Sequence, residues 1–289
     1  KVFVAYSVQD DVASYAITDH VRRGPLLWLF GGFLALSLGV AWWKGLTSLL
    51  GMGISFLVII FFILPKISSG NSPVLVATIG CVFLTPVTFY LSHGFNMKTT
   101  SAVIGTMVSL VITAALANAS TGFAKLSGLA NEEALFVQAA TDGSIDMQGL
   151  LVAGIVIGSL GILADLTVSQ AAVVSQLRDA AVTLGFGDLF RRAMSVGRDH
   201  IASMINTLVL VYAGASLPLL LLFVDSPAPL AEVLNYEFIA AEIVRTVVGS
   251  IGLILAVPLT TLLACVLVGR MADRRTLPTT SGAGGASSS

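Results

Sequence analysis

"GLLVAGIVIGSLGILADLTVSQAAVVSQLR", residues 149–178, decides how this chain folds. No residue from Gly149 to Ala164 is charged, and apolar residues run on without the alternation that a barrel strand would show. A helix of about 20 such residues crosses the hydrocarbon of a bilayer, and only helices or closed barrels satisfy their backbone there. Asp165 then stands where that helix should still be in lipid. At helical spacing Asp165, Ser169, Ala172 and Gln176 (i, i+4, i+7, i+11) share one face. An ionised side chain at such a depth costs at least about 2.5–3.5 kcal/mol on insertion scales and normally faces a bundle interior or a water-filled path. It is stabilised either by pairing with a cation or by taking up a proton, because desolvation disfavours the charged form.

The rest of the sequence has the same character. Of its 289 residues, 56% are hydrophobic and only 11% charged, with mean hydropathy +0.93; soluble domains carry about 25% charged residues. A net charge of −1 offers no basic stripe for phosphates, so nucleic acid is excluded as a partner. Cys81 and Cys265 lie in long apolar runs and read as small buried hydrophobes. His20, His93 and His200 are far apart and show no metal-ligand spacing, so no metal and no cofactor is expected. No HExxH, Ser/His pair or paired aspartates suggest an intramembrane enzyme.

Seven apolar segments have the length of a span: about 25–43, 46–64, 73–92, 100–118, 149–166, 201–224 and 239–269. The expected fold is therefore an all-α polytopic transmembrane bundle over 24–275, with Pro258 expected to kink the last helix. Residues 1–20 alternate ("VFVAYSV", "SYAIT") like the last strands of a β-rich domain, so 1–23 is expected to be the remnant of an extracytoplasmic β-rich segment. The chain opens on "KVFVAYSVQDD", from which a longer natural N-terminus is expected. Residues 276–289, "TLPTTSGAGGASSS" from Thr276, read as a disordered tail. Asn131 ahead of Glu132 and Glu133 reads as a helix N-cap, and Asp188 as the cap of "LFRRAMSV".

Lysine and arginine set the direction. With the N-terminus outside, the inner loops hold Lys44, Lys98, Arg178, Arg191, Arg192, Arg198, Arg270, Arg274 and Arg275. The outer segments then hold Lys1, Arg22, Arg23, Lys66 and Lys125 with most of the acids, among them Glu132, Glu133, Asp225, Glu232 and Glu237. Arg22 and Arg23 argue the other way and are outvoted, giving N-out, C-in.

Two more helices carry polar faces: Asp199, Ser203 and Asn206 on the sixth, and Glu242, Arg245, Gly249 and Gly252 on the seventh. Asp165 is the expected proton carrier, Arg245 its modulating cation and Glu242 a second acid nearer the outer face. Ser169, Ser203 and Asn206 would line a path, while Arg198 and Asp199 read as an interface anchor and helix cap. Weighed against this, Asp165 could cap a helix starting at Leu166, Glu242 and Arg245 could be a structural (i, i+3) pair, and Asn206 interhelical glue. Gly154, Gly158 and Gly161, and likewise Ser101, Gly105 and Ser109, form small-residue faces that suit close helix packing.

"GSLGILADLTVSQAAVV", "VGRDHIASMINTLVLVYAGASLPLLLLF" and "EIVRTVVGSIGLILAVPLTT", in this order, resemble the YibE/F-like bacterial membrane proteins. "GPLLWLFGGFLALSLGVAWWKGLTSLLG", "LSHGFNMKTTSAVIGT" and "LSGLANEEA" agree. The resemblance implies a multi-pass protein of the bacterial cytoplasmic membrane, a presumed transport role, and in family members a further N-terminal span and extracytoplasmic domain. Asp165 and Ser169 match the family's pattern, whereas Gln170 stands where the family has an apolar residue and is not carried over. The last three helices are also similar in pattern to those of the resistance-nodulation-division superfamily, which includes SecD and SecF, where an Asp serves a proton relay; this implies the same for Asp165. The resulting expectation is a proton-coupled permease exporting a small solute. Its rival is a non-transporting accessory or scaffold protein of the membrane. A partner in the bilayer, a second copy or another chain, is left open by both.

Overall fold

The computed structural model describes residues 2–9, 12–181, 183–224 and 229–276, so the expected tail beyond Thr276 and the acid Asp225 lie outside the described residues. The chain folds as two compact units, Lys1–Met52 and Gly53–Ser289.

In the first unit, β1 (Val2–Gln9) and β2 (Val12–His20) pair antiparallel, with Ala5 opposite Ala16 and an irregularity between Phe3 and Val4. The alternation read in 1–20 is thus a hairpin. Helix α1 (Arg23–Val58) follows, its residues from Gly53 on belonging to the second unit, and is broken at Trp42, whose φ of 50° and ψ of −131° are not helical. The chain doubles back there: a Cβ at Gly45 would overlap the Ser37 carbonyl, eight positions earlier, so only glycine fits. The break falls where the sequence changes from the apolar segment 25–43 to 46–64. The last turns of α1 pass through a π-helical stretch, Ile59–Ile63, into α2 (Leu64–Ser68).

The second unit is a helical bundle of α3 (Pro73–His93), α4 (Met97–Phe123), α6 (Met147–Ala180), α7 (Phe186–Ala215) and α10 (Glu237–Thr276). Three short helices fill the connections: α5 (Glu132–Ala140), α8 (Leu217–Val224) and α9 (Leu230–Val233). Helices α4, α6 and α10 supply most of the main core, where Leu110, Ile155, Leu163, Leu166 and Leu253 are fully covered. Small residues let α4 and α10 touch. Gly105 lies against Thr260 and Gly252 against Thr113 so closely that a Cβ on either glycine would overlap the threonine hydroxyl. Cys81 and Cys265 are buried free thiols, in keeping with an apolar role.

Caps fix where the helices start. Asn96 accepts from Thr99 N at 2.8 Å to open α4, and Asp146 accepts from Gly149 N at 2.9 Å to open α6. Asn131 does occupy the N-cap of α5, without a side-chain cap bond. Asp188 does not cap α7. Gly185 holds that position, and Asp188 sits in the first turn bonded to Arg191 at 2.6 Å, where a carboxylate favours the positive helix end. Asp199 caps nothing either, because α7 is already helical from Phe186 and carries Arg198 and Asp199 in mid-helix, both exposed. Helix α10 continues through Pro258.

Among the described residues five helices are long and apolar enough to cross a membrane: Arg23–Ser68, Pro73–His93, Met97–Phe123, Met147–Ala180 and Glu237–Leu267. Two features separate this from the seven segments read in the sequence. The first two segments are joined in one helical stretch across the Trp42 break. The segment 201–224 is divided at Ser216 between α7 and α8, and the first half of α7 is rich in charge. The protein is a helical membrane protein.

Candidate functional site

The first turns of α10 build a polar site in the second unit. The Glu237 carboxylate accepts from Ser127 N at 2.7 Å, from Gly128 N at 2.8 Å, and from Ser127 Oγ at 2.8 Å. Charge-assisted bonds of this kind are the strong ones, and here they tie the connection after α4 to the start of α10. Gly128 is required in that connection. Its φ is +81°, and a Cβ there would overlap the carbonyl of Met147 at the start of α6.

About two turns further along α10, Arg245 donates from Nη1 to Glu242 Oε1 at 2.7 Å, with side chains 32% and 29% exposed. The pair lies in the wall of a cavity of about 710 Å³, whose polar rim also includes Asn131, Glu132, Glu133 and Ser216. A second hollow of about 330 Å³ shares Ser216 and Glu242 with it, includes Thr246, and is otherwise mostly apolar, lined by Val209, Tyr212, Ile239, Ile243 and Val247. Thus Glu242 and Arg245 do line an open hollow.

The other expected site residues do not join them. Asp165 is exposed on α6 and makes no hydrogen bond or ion pair among the described residues. The capping alternative also fails, since α6 runs unbroken through it. Depth along the bundle separates Asp165 from Arg245. Helices α6 and α10 run in the same direction, with a Cβ at Gly249 placed 3.9 Å from Ser159 Oγ and Gln170 reaching Thr261. Arg245 is four residues before Gly249, and Asp165 six residues after Ser159. Ten residues at 1.5 Å each put them about 15 Å apart along the helix axes. The expected convergence of Asp165 and Arg245 is not what the fold makes.

Ser203 and Asn206 are exposed on α7, and Ser169 is half-buried. Helix α7 runs antiparallel to α6, with Ala193 and Gly197 beside Gln170, so Ser203 lies near the depth of Asp165 and Asn206 roughly one turn beyond it. Of the three polar faces, only that of α10 turns inward, with Gly249 and Gly252 buried. Gly154, Gly158 and Gly161 are likewise exposed, and nothing lies within 4 Å of a Cβ at any of them. They do not pack helices within the described residues, unlike Ser101, Gly105 and Ser109, which do.

A buried layer of uncharged polar groups, at about the depth of Asp165, is the feature that sequence patterning missed. Thr106 and Thr167 share a hydroxyl–hydroxyl bond of 2.6 Å between α4 and α6. Gln170, 1% exposed, donates from Nε2 to Thr261 Oγ1 at 2.7 Å and to the Ala193 carbonyl at 3.0 Å, joining α6, α10 and α7. Gly197 makes room for that amide, since a Cβ there would crowd Gln170 and Val257. Thr260 Oγ1 and Ser109 Oγ are buried in the same α4–α10 contact without a hydrogen-bond partner among the described residues. The available signal was Gln170 itself, a large amide in a long apolar helix. No group of three His, Cys, Asp or Glu among the described residues could hold a metal ion.

A family model described as "YibE/F-like protein" matches residues 29–270. Comparison with curated proteins and with solved structures gives no match. The chain belongs to the YibE/F-like family.

Proposed function

From that membership and the cavity at the head of α10, we propose that this protein is a multi-pass permease of the bacterial cytoplasmic membrane that moves a small solute outward, coupled to the proton gradient. The observation carrying the reading is the Glu242–Arg245 pair at the wall of that hollow. A helical membrane protein that keeps a partly exposed ion pair in the wall of a 710 Å³ cavity has a wet, charged place for a solute to dwell. In the seven-span, N-out and C-in arrangement that the lysine and arginine distribution favours, this cavity opens on the outer side. The two helical stretches on either side of Trp42 are then separate spans. Asp165 acts as the proton acceptor, about 15 Å deeper by helix rise, and signals to the cavity through movement of α6 against α10 rather than by contact.

A second reading has its own observation. Asp165 stands on an outward face with Gly154, Gly158 and Gly161, which is how a helix is shaped to receive another helix. Under this reading the protein is a non-transporting accessory of the membrane, and Asp165 meets a partner chain. Proteoliposomes with an imposed pH gradient separate the two. The permease carries a proton flux that Asp165→Asn abolishes while the variant still inserts; equal flux in both proteins rejects the relay.

A further inference from the structure

The two hollows at the head of α10 are neighbours that share Ser216 and Glu242 in their linings, and those linings differ in kind. The larger one is lined by Glu132, Glu133, Glu242 and Arg245. Three negative charges against one positive leave it a net −2. Arg245 is already neutralised by Glu242 at 2.7 Å, so an anion entering there would meet the carboxylates of α5 rather than a free cation. The smaller hollow has one aromatic ring, Tyr212, among aliphatic side chains. Of these, Val209, Ile243 and Val247 are exposed on the outside of the bundle, so it opens sideways toward the acyl chains. Acid at one end and apolar surface at the other define the occupant by its chemistry. Carboxylates favour a positive centre, the face of Tyr212 attracts a weakly hydrated cation, and the aliphatic wall takes an apolar body.

We propose that this double hollow is a binding site for lipophilic cations, entered from the bilayer, with the positive centre between Glu242 and the α5 carboxylates and the apolar body against Tyr212, Ile243 and Val247. This names the solute class for the permease reading and rests on that reading only for the steps after binding. The site has a distinctive sign. Arg245 competes with the cation for Glu242, so removing Arg245 strengthens cation binding, whereas in a structural ion pair or an anion site its removal brings no gain.

Tetraphenylphosphonium and tetraphenylborate, ions of nearly the same size and shape with opposite charge, provide the test. Binding to the full chain in zwitterionic nanodiscs is measured by equilibrium dialysis against protein-free discs. Tetraphenylphosphonium is expected to saturate a site that tetraphenylborate does not fill, and tetramethylammonium, which lacks the apolar body, to bind at least tenfold more weakly. Glu242→Gln should weaken tetraphenylphosphonium about five- to tenfold, and Arg245→Gln should tighten it at least twofold. Glu133→Gln, on exposed α5, cannot unfold the bundle and should weaken it about twofold. Equal or tighter tetraphenylborate binding, or weaker cation binding in Arg245→Gln, overturns the proposal. Saturable binding without flux of the bound cation keeps the site and ends the permease reading; proton-coupled flux of another solute with no cation binding does the reverse.

Discussion

The Gln170 side chain donates to Thr261 Oγ1 at 2.7 Å in the fully buried contact between α6 and α10, while the Thr261 hydroxyl in turn donates to its own helix at the Val257 carbonyl, 2.7 Å away. The amide also reaches the Ala193 carbonyl on α7, so one side chain links three helices. Replacing Gln170 by Leu puts a slightly larger apolar side chain in its place and removes all of these bonds. Buried interhelical hydrogen bonds in membranes average about 0.6 kcal/mol and reach about 1.7. Since two bonds are lost here, a destabilisation on the order of 1–2 kcal/mol is expected in a reversible unfolding titration in mixed micelles. A variant as stable as the wild type would show that the layer does not hold the helices.

Gly252 and Thr113 test the close approach of α10 to α4. A Cβ on Gly252 would overlap Thr113 Oγ1 and sit 3.3 Å from its Cγ2, so Gly252→Ala overpacks the contact. Overpacking a tight core costs about 1–3 kcal/mol. Thr113→Ala deletes Oγ1 and Cγ2 and leaves only the Cβ at 3.3 Å, so the double variant should recover most of that cost. Strictly additive losses in the double-mutant cycle would place the strain elsewhere.

Glu237 holds the connection after α4 through Ser127 and Gly128. Glu237→Ala leaves these donors without their carboxylate, a loss of about 1–3 kcal/mol for bonds to a charged group. The effect should be local. Hydrogen exchange at Ser127 and Gly128 is expected to rise by one to two orders of magnitude, with the middle of α4 and α6 unchanged. Protection that falls equally throughout would mean that Glu237 supports the whole bundle.

Gly158 stands in open space, so Gly158→Ala clashes with nothing among the described residues. Alanine is the better helix former by about 1 kcal/mol. The isolated protein should unfold at the same or a higher denaturant concentration. If α6 docks another helix in the membrane, the same substitution weakens that association, which sedimentation in detergent reads directly. Reduced stability of the monomer would show instead that Gly158 packs within the chain.

Much of the fold was legible because it depends on composition and spacing. Uncharged runs such as 149–164 can only be helices in lipid, whereas the caps at Asn96 and Asp146 were not singled out from the sequence. Helical spacing correctly grouped Asp165 with Ser169, and Glu242 with Arg245. It could not say which way a face turns. The same arithmetic that gathered Ser101, Gly105 and Ser109 gathered Gly154, Gly158 and Gly161, yet the first set is buried and the second is open.

By itself, then, the sequence determined that the chain is a set of membrane helices, where most of them begin, and which residues share a face, because these depend on local hydropathy and the 3.6-residue repeat. Tertiary structure alone decided that Glu242 and Arg245 border a cavity, that Asp165 looks outward a good distance from them, and that Gln170 is the amide locked between three helices. The reason is physical: lipid accepts any apolar side of a helix, so the rotation and depth of each one are fixed by the close fit of glycine to threonine across α4 and α10 and by the bonds of Gln170, neither of which a linear pattern contains.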